Sequence, residues 1–318
     1  MSNADSQTPA APVPPALASS ILLPAQDYDL GATLDSGQVF RWARTAGGGA
    51  DAWVGVVGKH WVRLTPKPGG ILAEAGAPQA EWDWLRQFLQ NEVDLGKILD
   101  TFPDDEPMRR AVAACRGLRV LRQEPWECLA SFILSSTKQI VQIRQIIRLL
   151  GERFGEPLRG GGADPPAGPG ERPREVYYTF PTPQRLARVG EDDLRGCKMG
   201  FRAPHLLAAA RRIADGSFDL ERIRGMDYAS ARRELMELRG VGGKIADCVL
   251  LFAYGFESAF PVDVWVERGL RQLYFPRRRV AEKKLRHFAA THFGRHAGYA
   301  QQYLFHYVRT QSPRGVRA

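Results

Sequence analysis

Hydrophobic and polar positions along the chain follow two different periods. Over residues 21–72, short apolar runs such as Trp53-Val54-Gly55-Val56-Val57 alternate with glycine-rich breaks, a pattern typical of strands joined by tight turns. From residue 80 the apolar positions move to helical spacing, beginning with Trp82, Leu85, Phe88 and Leu89. The pattern predicts at least two antiparallel hairpins followed by an almost wholly helical remainder, and so an α+β fold.

Two segments follow neither period. Residues 1–20 are rich in Ala, Pro and Ser and lack the basic and apolar regions of a secretory signal, which predicts a disordered leader. Residues 159–174 are dominated by Gly and Pro, which predicts a mobile loop. The expected organisation is therefore a β-rich N-terminal domain over residues 21–115 and a helical domain over residues 116–312.

One long helix is predicted over residues 133–154. Its apolar positions fall on one helical face, at Ile140, Ile143, Ile147 and Leu150. The sequence after the glycine- and proline-rich segment resumes at Phe180-Pro181-Thr182-Pro183, where a proline suits the first turn of a further helix.

Composition narrows the class of partner. The chain has 318 residues and a formal net charge of +9, which suits a polyanion such as nucleic acid, although a solvated basic surface has the same composition. No apolar run is long enough to cross a membrane. The four cysteines form no C-x-x-C pair and the six histidines no H-E-x-x-H motif, so no metal, cluster or other cofactor is expected. Scattered cysteines predict reduced thiols in an intracellular protein, in the cytoplasm or nucleoid of a prokaryote or the nucleus of a eukaryote.

The most informative segment is the run Leu238-Arg239-Gly240-Val241-Gly242-Gly243-Lys244. A helix over residues 229–238 is predicted to lead into this glycine turn, and a second helix to begin near Gly243. Glycines allow positive φ, and the free N–H groups at the start of the second helix form an anion site. The segment predicts a helix-hairpin-helix that binds DNA phosphate at Gly240 and Gly242. A nucleotide-binding P-loop is excluded, because it needs a glycine at the place of Leu238.

Lys244 is the candidate nucleophile. The positive helix end and partial burial both disfavour an ammonium group, and a Schiff-base nucleophile requires the free amine. Asp263 follows a proline in an apolar stretch after the second helix, and a turn of the chain would bring its carboxylate beside Lys244. Two plainer interpretations stay open at this point: Lys244 as a phosphate clamp only, and Asp263 as the N-cap of a helix that begins at Val264.

Five blocks in order resemble the 8-oxoguanine DNA glycosylase family, within the helix-hairpin-helix, Gly/Pro-Asp superfamily of DNA glycosylases. The resemblance extends over residues 20–310. The blocks are Asp35-Ser36-Gly37-Gln38-Val39-Phe40-Arg41-Trp42, the runs at residues 121–129 and 132–136, Gly200-Phe201-Arg202-Ala203, the segment from Leu238 to Asp263, and Tyr299-Ala300-Gln301-Gln302-Tyr303-Leu304-Phe305.

The resemblance implies a fold and a reaction. The fold is an antiparallel N-terminal domain like the TATA-binding protein, followed by a two-lobed helical body with the active site between the lobes. In the reaction, Lys244 displaces an oxidised purine at the sugar C1′ and forms a Schiff base, and β-elimination then nicks the strand. Asp263 orients or deprotonates Lys244. The implied partner is double-stranded DNA that contains the lesion, and the protein is expected to act as a monomer.

The resemblance also implies which residues bind the flipped nucleotide. The Gly37 carbonyl would accept the N7–H that only the oxidised purine carries, and Gln301 would bind the Watson–Crick edge. Cys248 and Phe305 would sandwich the base, with Pro261 in the same pocket, while Phe201 and Arg202 would fill the gap in the duplex. Without the resemblance, Cys248 and Phe305 would be interpreted as core residues, Gln301 as a surface residue and Gly37 as a turn residue.

Five positions depart from the family pattern. Where the family has three successive asparagines, this chain has Thr137-Lys138-Gln139. Gln142 replaces a family arginine that contacts the orphaned cytosine, and Trp265 replaces a family histidine thought to touch phosphate. The lesion pocket is therefore expected to be retained. We expect Thr137 and Gln142 to contact the opposite strand but to discriminate the opposite base less strictly.

Two other functions stay open on the sequence alone. A glycosylase of the same fold could act on another lesion, such as an alkylated purine or an oxidised pyrimidine, although an enzyme that uses only water would not need Lys244. A non-catalytic helix-hairpin-helix module could bind DNA, although phosphate binding needs neither Lys244 nor Asp263.

Overall fold

The computed structural model describes residues 19–45, 51–76, 78–79, 81–135, 139–158, 176–276, 278 and 280–311. Residues 1–18 of the predicted leader, the predicted loop over residues 159–174, and Thr137 with Lys138 lie outside the described residues.

A five-stranded antiparallel sheet opens the fold, as predicted. Its strands are β1 (Ser19–Pro24), β2 (Trp42–Thr45), β3 (Ala52–Val57), β4 (His60–Lys67) and β5 (Gly70–Ala75), in the spatial order β1-β5-β4-β3-β2. Because β1 already pairs Ser19 with Ala75 and Ser20 with Glu74, the predicted end of the leader at residue 20 is wrong by two residues.

A short helix, α1 (Leu30–Asp35), separates β1 from β2. The carboxylate of Asp29 caps it by accepting a hydrogen bond from the Ala32 N–H at 2.8 Å. Six residues are too few for a hydrophobic period to be visible, so the sequence pattern did not predict this helix. The chain leaves α1 through the turn at Ser36 and Gly37, which later forms part of the candidate site.

The buried face of the sheet packs on α2 (Asp83–Leu89), the first predicted helix. The Trp42 and Phe88 rings stack with centroids 5.8 Å apart, and Leu85 and Leu89 are fully buried beside them. This sheet core is separate from the larger core of the helical body.

The helical body follows. Its helices are α3 (Leu95–Leu99), α4 (Glu106–Cys115), α5 (Pro125–Ser135), α6 (Ile140–Phe154), α7 (Pro183–Ala187), α8 (Glu191–Leu194), α9 (Ala203–Ala214), α10 (Tyr228–Met236), α11 (Gly243–Val249), α12 (Val264–Tyr274), α13 (Glu282–His292) and α14 (Ala297–Gln311). A two-stranded hairpin, β6 (Pro157–Leu158) with β7 (Tyr177–Tyr178), stands between α6 and α7.

Packing places α3 and α4 in the helical body. Ile98 and Met108 belong to its core, and α4 packs on α14. Judged by packing, the boundary between the sheet core and the helical core therefore lies just after α2, whereas the sequence predicted a domain boundary at residue 115.

The long helix predicted over residues 133–154 is wrong, because it is two helices. Ile133 belongs to α5, and α6 begins at Ile140. Gln139 has extended backbone angles, φ −69° and ψ 152°, and its N–H donates to Gln142 Oε1 at 3.3 Å. Such angles end the helical hydrogen-bond ladder, although Ile143, Ile147 and Leu150 do share the buried face of α6.

Candidate active site

The glycine turn joins α10 to α11 as a helix-hairpin-helix. Gly240 has φ +86°, and a Cβ there would collide with the His205 ring. Gly242 is exposed and stands immediately before α11, which begins at Gly243 as predicted. The first N–H groups of α11 therefore lie next to the exposed backbone of Gly242, a geometry that suits a phosphate oxygen.

A buried carboxylate ties the two helices of the hairpin together. Asp247 Oδ1 accepts from Arg232 Nε at 2.7 Å and from the Tyr228 hydroxyl at 2.8 Å. Burial raises the pKa of Asp247, and Arg232 opposes that shift. Because Arg232 and Tyr228 lie on α10 and Asp247 on α11, this network fixes the angle at which the turn presents Lys244.

Lys244 is half-buried in the first turn of α11. Its Nζ donates to Ser135 Oγ at 3.3 Å and lies 5.1 Å from the centroid of the Phe132 ring, both on α5. Among the residues that the structure describes, Lys244 forms no ion pair. The amine is therefore held in a defined position by Ser135 and the Phe132 ring.

Asp263 is the N-cap of α12, as the simpler of its two interpretations predicted. A capping role does not exclude a role in catalysis. Its Oδ1 accepts from the N–H groups of Trp265 at 2.9 Å and Val266 at 2.8 Å. Both bonds use Oδ1. The backbone bonds fix the carboxylate at the start of the helix.

The pKa of the Cys248 thiol is affected by the charges of both Lys244 and Asp263. The pKa of Cys248 is raised to about 12, chiefly by burial; the charge of Lys244 opposes this shift and the charge of Asp263 adds to it. Both charged groups thus act on one buried sulfur, one turn after Lys244 in α11. Lys244 and Asp263, which belong to different helices, therefore both lie within electrostatic range of this sulfur.

The turn after α1 contacts α14. Gly37 has φ +81°, and a Cβ there would come within 3.3 Å of Phe305 Cε1, Ile140 Cδ1 and Arg309 Nη1. A side chain at this position would be strained by the backbone and would also occupy the space in front of Phe305. The predicted base-recognition residues Gly37 and Phe305 are therefore neighbours.

Gln301 lies one helical turn before Phe305 on α14 and is only 4 % exposed. Its Oε1 is buried and accepts no hydrogen bond from any residue that the structure describes. An unpaired buried acceptor is costly, so a ligand with a donor would be bound strongly here. Cys248 and Pro261 are buried as well, and their contact with a base stays a prediction.

Sequence reasoning missed the network that holds the Gly37 turn. Fully buried Gln38 donates from Nε2 to the Arg119 carbonyl at 2.8 Å, and its Oε1 accepts from the Leu121 N–H at 2.8 Å. Gln302 Nε2 donates to the Ser36 carbonyl at 2.9 Å. Both glutamines lie in the blocks that resemble the family, which is the signal that could have marked them.

Phe201 and Arg202, the residues predicted to fill the gap in the duplex, differ in their exposure to solvent. Phe201 is 59 % exposed at the turn before α9, and this suits a side chain that enters a duplex. Arg202 is only 2 % exposed, with its guanidinium carbon 4.4 Å from the Phe201 ring centroid. The Arg202 side chain is buried behind the aromatic ring, and its role in filling the gap stays a prediction.

Gln142 is exposed in the first turn of α6, where its Oε1 accepts from the Gln139 N–H. Thr137 lies outside the described residues. The role of both positions opposite the lesion stays a prediction.

The part of the chain that the structure describes offers no metal site and no membrane span. No cluster of three or more His, Cys, Asp or Glu side chains could hold a metal there, and none of its helices combines the length and apolar character needed to span a membrane. An open cavity of about 650 Å³, lined in part by Lys59, Glu124, Trp126 and Arg185, contains neither Lys244 nor Asp263.

The fold and the site together define a helix-hairpin-helix DNA glycosylase. Residues 130–293 match the family model described as "HhH-GPD superfamily base excision DNA repair protein", and residues 20–129 match "8-oxoguanine DNA glycosylase, N-terminal domain". The chain is 30% identical to the probable N-glycosylase/DNA lyase of Methanothermobacter thermautotrophicus, over 90% of this chain and 95% of that one. It is also 30% identical to the N-glycosylase/DNA lyase OGG1 of Arabidopsis thaliana, over 86% and 75%.

Solved structures agree with this assignment. The Clostridium acetobutylicum 8-oxoguanine glycosylase/lyase, in complex with double-stranded DNA containing cytosine opposite 8-oxoG, aligns with a TM-score of 0.79 at 32% identity, over 91% of this chain and 98% of that one. A 3-methyladenine DNA glycosylase of Archaeoglobus fulgidus shares the fold, with a TM-score of 0.71 at 21% identity over 93% of this chain and 100% of that one. The chain belongs to the 8-oxoguanine DNA glycosylase family.

Proposed function

We propose that this protein removes 8-oxoguanine from duplex DNA through a Schiff base on Lys244 and then nicks the strand by β-elimination. The observation that carries the proposal is the position of Lys244: a half-buried amine at the hairpin exit, held by Ser135 and Phe132 and without an ion pair among the described residues. The similar Clostridium acetobutylicum glycosylase/lyase has been solved on DNA containing 8-oxoG, which supports the same substrate here.

The reaction begins when the lesion nucleotide leaves the base stack. The free amine of Lys244 attacks C1′, the bond from C1′ to the base breaks, and the bonding electrons leave with the base, which takes up a proton. Loss of protons from nitrogen and opening of the sugar ring give the Schiff base. Removal of a C2′ proton then expels the 3′ phosphate, and the strand is nicked.

Asp263 serves this reaction from the start of α12. Its carboxylate is held by two backbone N–H groups and acts with Lys244 on the same thiol, so it carries a fixed negative charge into the site. A fixed charge stabilises the positive charge that builds on the sugar and can receive the proton that Lys244 loses.

Base recognition comes from the contact between the Gly37 turn and α14. The Gly37 carbonyl is proposed to accept the N7–H, the unpaired Gln301 Oε1 to accept from the Watson–Crick edge, and Phe305 to stack on the base. Guanine has no N7–H, so it would leave the Gly37 carbonyl without a donor.

A lesion panel with borohydride trapping tests the proposed function. Duplexes carrying 8-oxoguanine, 3-methyladenine, an oxidised pyrimidine or guanine are incubated with the enzyme and borohydride. We expect base release and covalent trapping with 8-oxoguanine and little of either with the other three. Release of 3-methyladenine without trapping would indicate the alkylpurine alternative, and tight binding with neither product would indicate a non-catalytic module.

Replacement of Gln301 by Ala should weaken the selection of 8-oxoguanine. Because its Oε1 is buried and unpaired, loss of the amide removes a hydrogen bond worth about 1 kcal/mol or more, so excision should slow about five- to tenfold. Cleavage of a ready-made abasic site, which has no base to recognise, should change little. An equal loss on both substrates would show that Gln301 is structural.

We further propose that the opposite base is discriminated less strictly than an arginine at position 142 would allow. Gln142 offers one acceptor and one amide donor group, so it can pair with several bases. A good bidentate contact contributes roughly 1–3 kcal/mol, and its loss should reduce cytosine preference by about one or two decades. Single-turnover rates with each base opposite 8-oxoguanine measure this. A strong cytosine preference that survives Gln142→Ala would contradict it.

A further inference from the structure

Arg309, near the end of α14, has a buried donor beside the Gly37 turn. A Cβ on Gly37 would lie 3.3 Å from Arg309 Nη1, as close as it would lie to Phe305. Arg309 Nη2 donates to the backbone carbonyl of Asp35, which holds the guanidinium against the turn. Nη1 is buried and has no acceptor among the residues that the structure describes. A buried charged donor without an acceptor is costly, so a ligand that supplies one would be favoured.

This guanidinium forms no close ion pair with a carboxylate of the described residues, although the charge of Asp35 opposes the lowering of its pKa by burial. The Asp35 carboxylate pairs with Arg144, with Nη2 and Oδ1 3.2 Å apart, whereas Arg309 donates to the backbone carbonyl of Asp35. Burial lowers the pKa of Arg309, but an arginine remains protonated at neutral pH. The Arg309 guanidinium carbon lies 5.6 Å from the Phe305 ring centroid, so the charge is also next to the proposed stacking surface.

The spacing along α14 indicates which base atom this donor meets. Gln301, Phe305 and Arg309 follow each other at steps of four residues and share a face of the helix. At 1.5 Å per residue, Arg309 begins about 12 Å from Gln301 along the axis. If Gln301 binds the Watson–Crick edge and Gly37 the N7–H, Arg309 lies at the opposite end of the base. The acceptor at that end is the C8 carbonyl oxygen.

We propose that Arg309 Nη1 donates a hydrogen bond to the C8 carbonyl oxygen of the flipped base. This inference rests on the proposed function and deepens it. Gly37 and Arg309 then form an adjacent acceptor and donor that match the N7–H and C8 carbonyl of an oxidised purine. Guanine presents an N7 lone pair and a C8–H at the same places and matches neither. Arg309 is thus a specificity-determining residue for the oxidised edge.

The test compares single-turnover rates on three duplexes with cytosine opposite the site: 8-oxoguanine, 8-thioguanine and a ready-made abasic site. 8-Thioguanine keeps the N7–H and replaces the C8 oxygen by sulfur, a weaker acceptor. Wild-type enzyme should prefer the oxygen compound. Arg309→Met should slow 8-oxoguanine excision about ten- to a hundredfold, the range for a charge-assisted hydrogen bond, and abolish most of the oxygen-over-sulfur preference. Abasic-site cleavage should stay within a few-fold.

Two further variants separate this role from others. Arg309→Lys keeps the charge and one donor and should recover part of the preference. Arg144→Met removes the neighbouring charge at Asp35 and should leave the oxygen-over-sulfur ratio unchanged. Equal loss on 8-oxoguanine and 8-thioguanine would mean that Arg309 only supports the Gly37 turn. Loss on the abasic site as well would mean a phosphate contact. Either result would overturn the proposal, whereas a wild-type enzyme inactive on 8-oxoguanine would overturn the proposed function as well.

Discussion

Lys244→Gln should abolish both base release and borohydride cross-linking on 8-oxoguanine DNA, lowering the single-turnover rate by roughly 10⁴-fold or more. The amide has no nucleophilic lone pair, so it can form no bond to C1′. The contacts that hold Lys244 are one hydrogen bond to Ser135 and the Phe132 ring, which together contribute about 1–2 kcal/mol. The variant should therefore fold normally.

DNA binding by Lys244→Gln should survive, because the backbone N–H groups at the start of α11 and other basic residues still contact the phosphates. The matched control is Lys97→Gln, which removes an exposed lysine that pairs with Asp94 on α3. It should react and cross-link like the wild type. Normal cross-linking by Lys244→Gln would rule this lysine out, whereas loss of binding in parallel with activity would favour the phosphate-clamp interpretation.

Local sequence patterns predicted the elements whose signals are local. The strand pattern, the helix at Asp83–Leu89 and the hairpin at Gly240–Lys244 each depend on residues close in sequence, and each is present in the structure. Prediction failed over residues 133–154, because an apolar face continues across a break that Gln139 makes with its backbone. Hydrophobic periodicity predicts which face of a helix is buried, but it does not predict whether the helix is continuous.

The supporting parts of the site could not be predicted by spacing. Ser135 and Lys244 are 109 residues apart, and Gln38 and Leu121 are 83 apart, so their hydrogen bonds exist only once distant segments of the chain have packed together. Burial of Arg202 has the same origin, since an arginine beside an exposed aromatic residue would be expected at the surface. The resemblance to a family indicated the candidate reacting residues, whereas the structure identified the residues that hold them.

Asp263 is expected to have two separable roles. As an N-cap it contributes about 0.5–2 kcal/mol to stability through its bonds to Trp265 and Val266, and as a charge it serves the reaction of Lys244. Asn and Ser cap helices about as well as Asp, whereas Ala does not. Asp263→Asn, Asp263→Ser and Asp263→Ala therefore distinguish the loss of charge from the loss of the cap.

All three variants should lower single-turnover excision of 8-oxoguanine by about 10²-fold or more, because each lacks the fixed carboxylate that stabilises the sugar cation and receives a proton. Only Asp263→Ala should also lose stability, by about 1 kcal/mol in a denaturant titration. Affinity for uncleaved lesion DNA should change little, since the proposed phosphate contacts at the hairpin do not involve Asp263. If Asp263→Asn and Asp263→Ser keep turnover within a few-fold of the wild type while Asp263→Ala loses stability, capping alone explains this residue. Lys244 would then need another group to receive its proton, and Cys248, whose pKa is raised to about 12 by burial, is a full thiol at neutral pH and could not accept it.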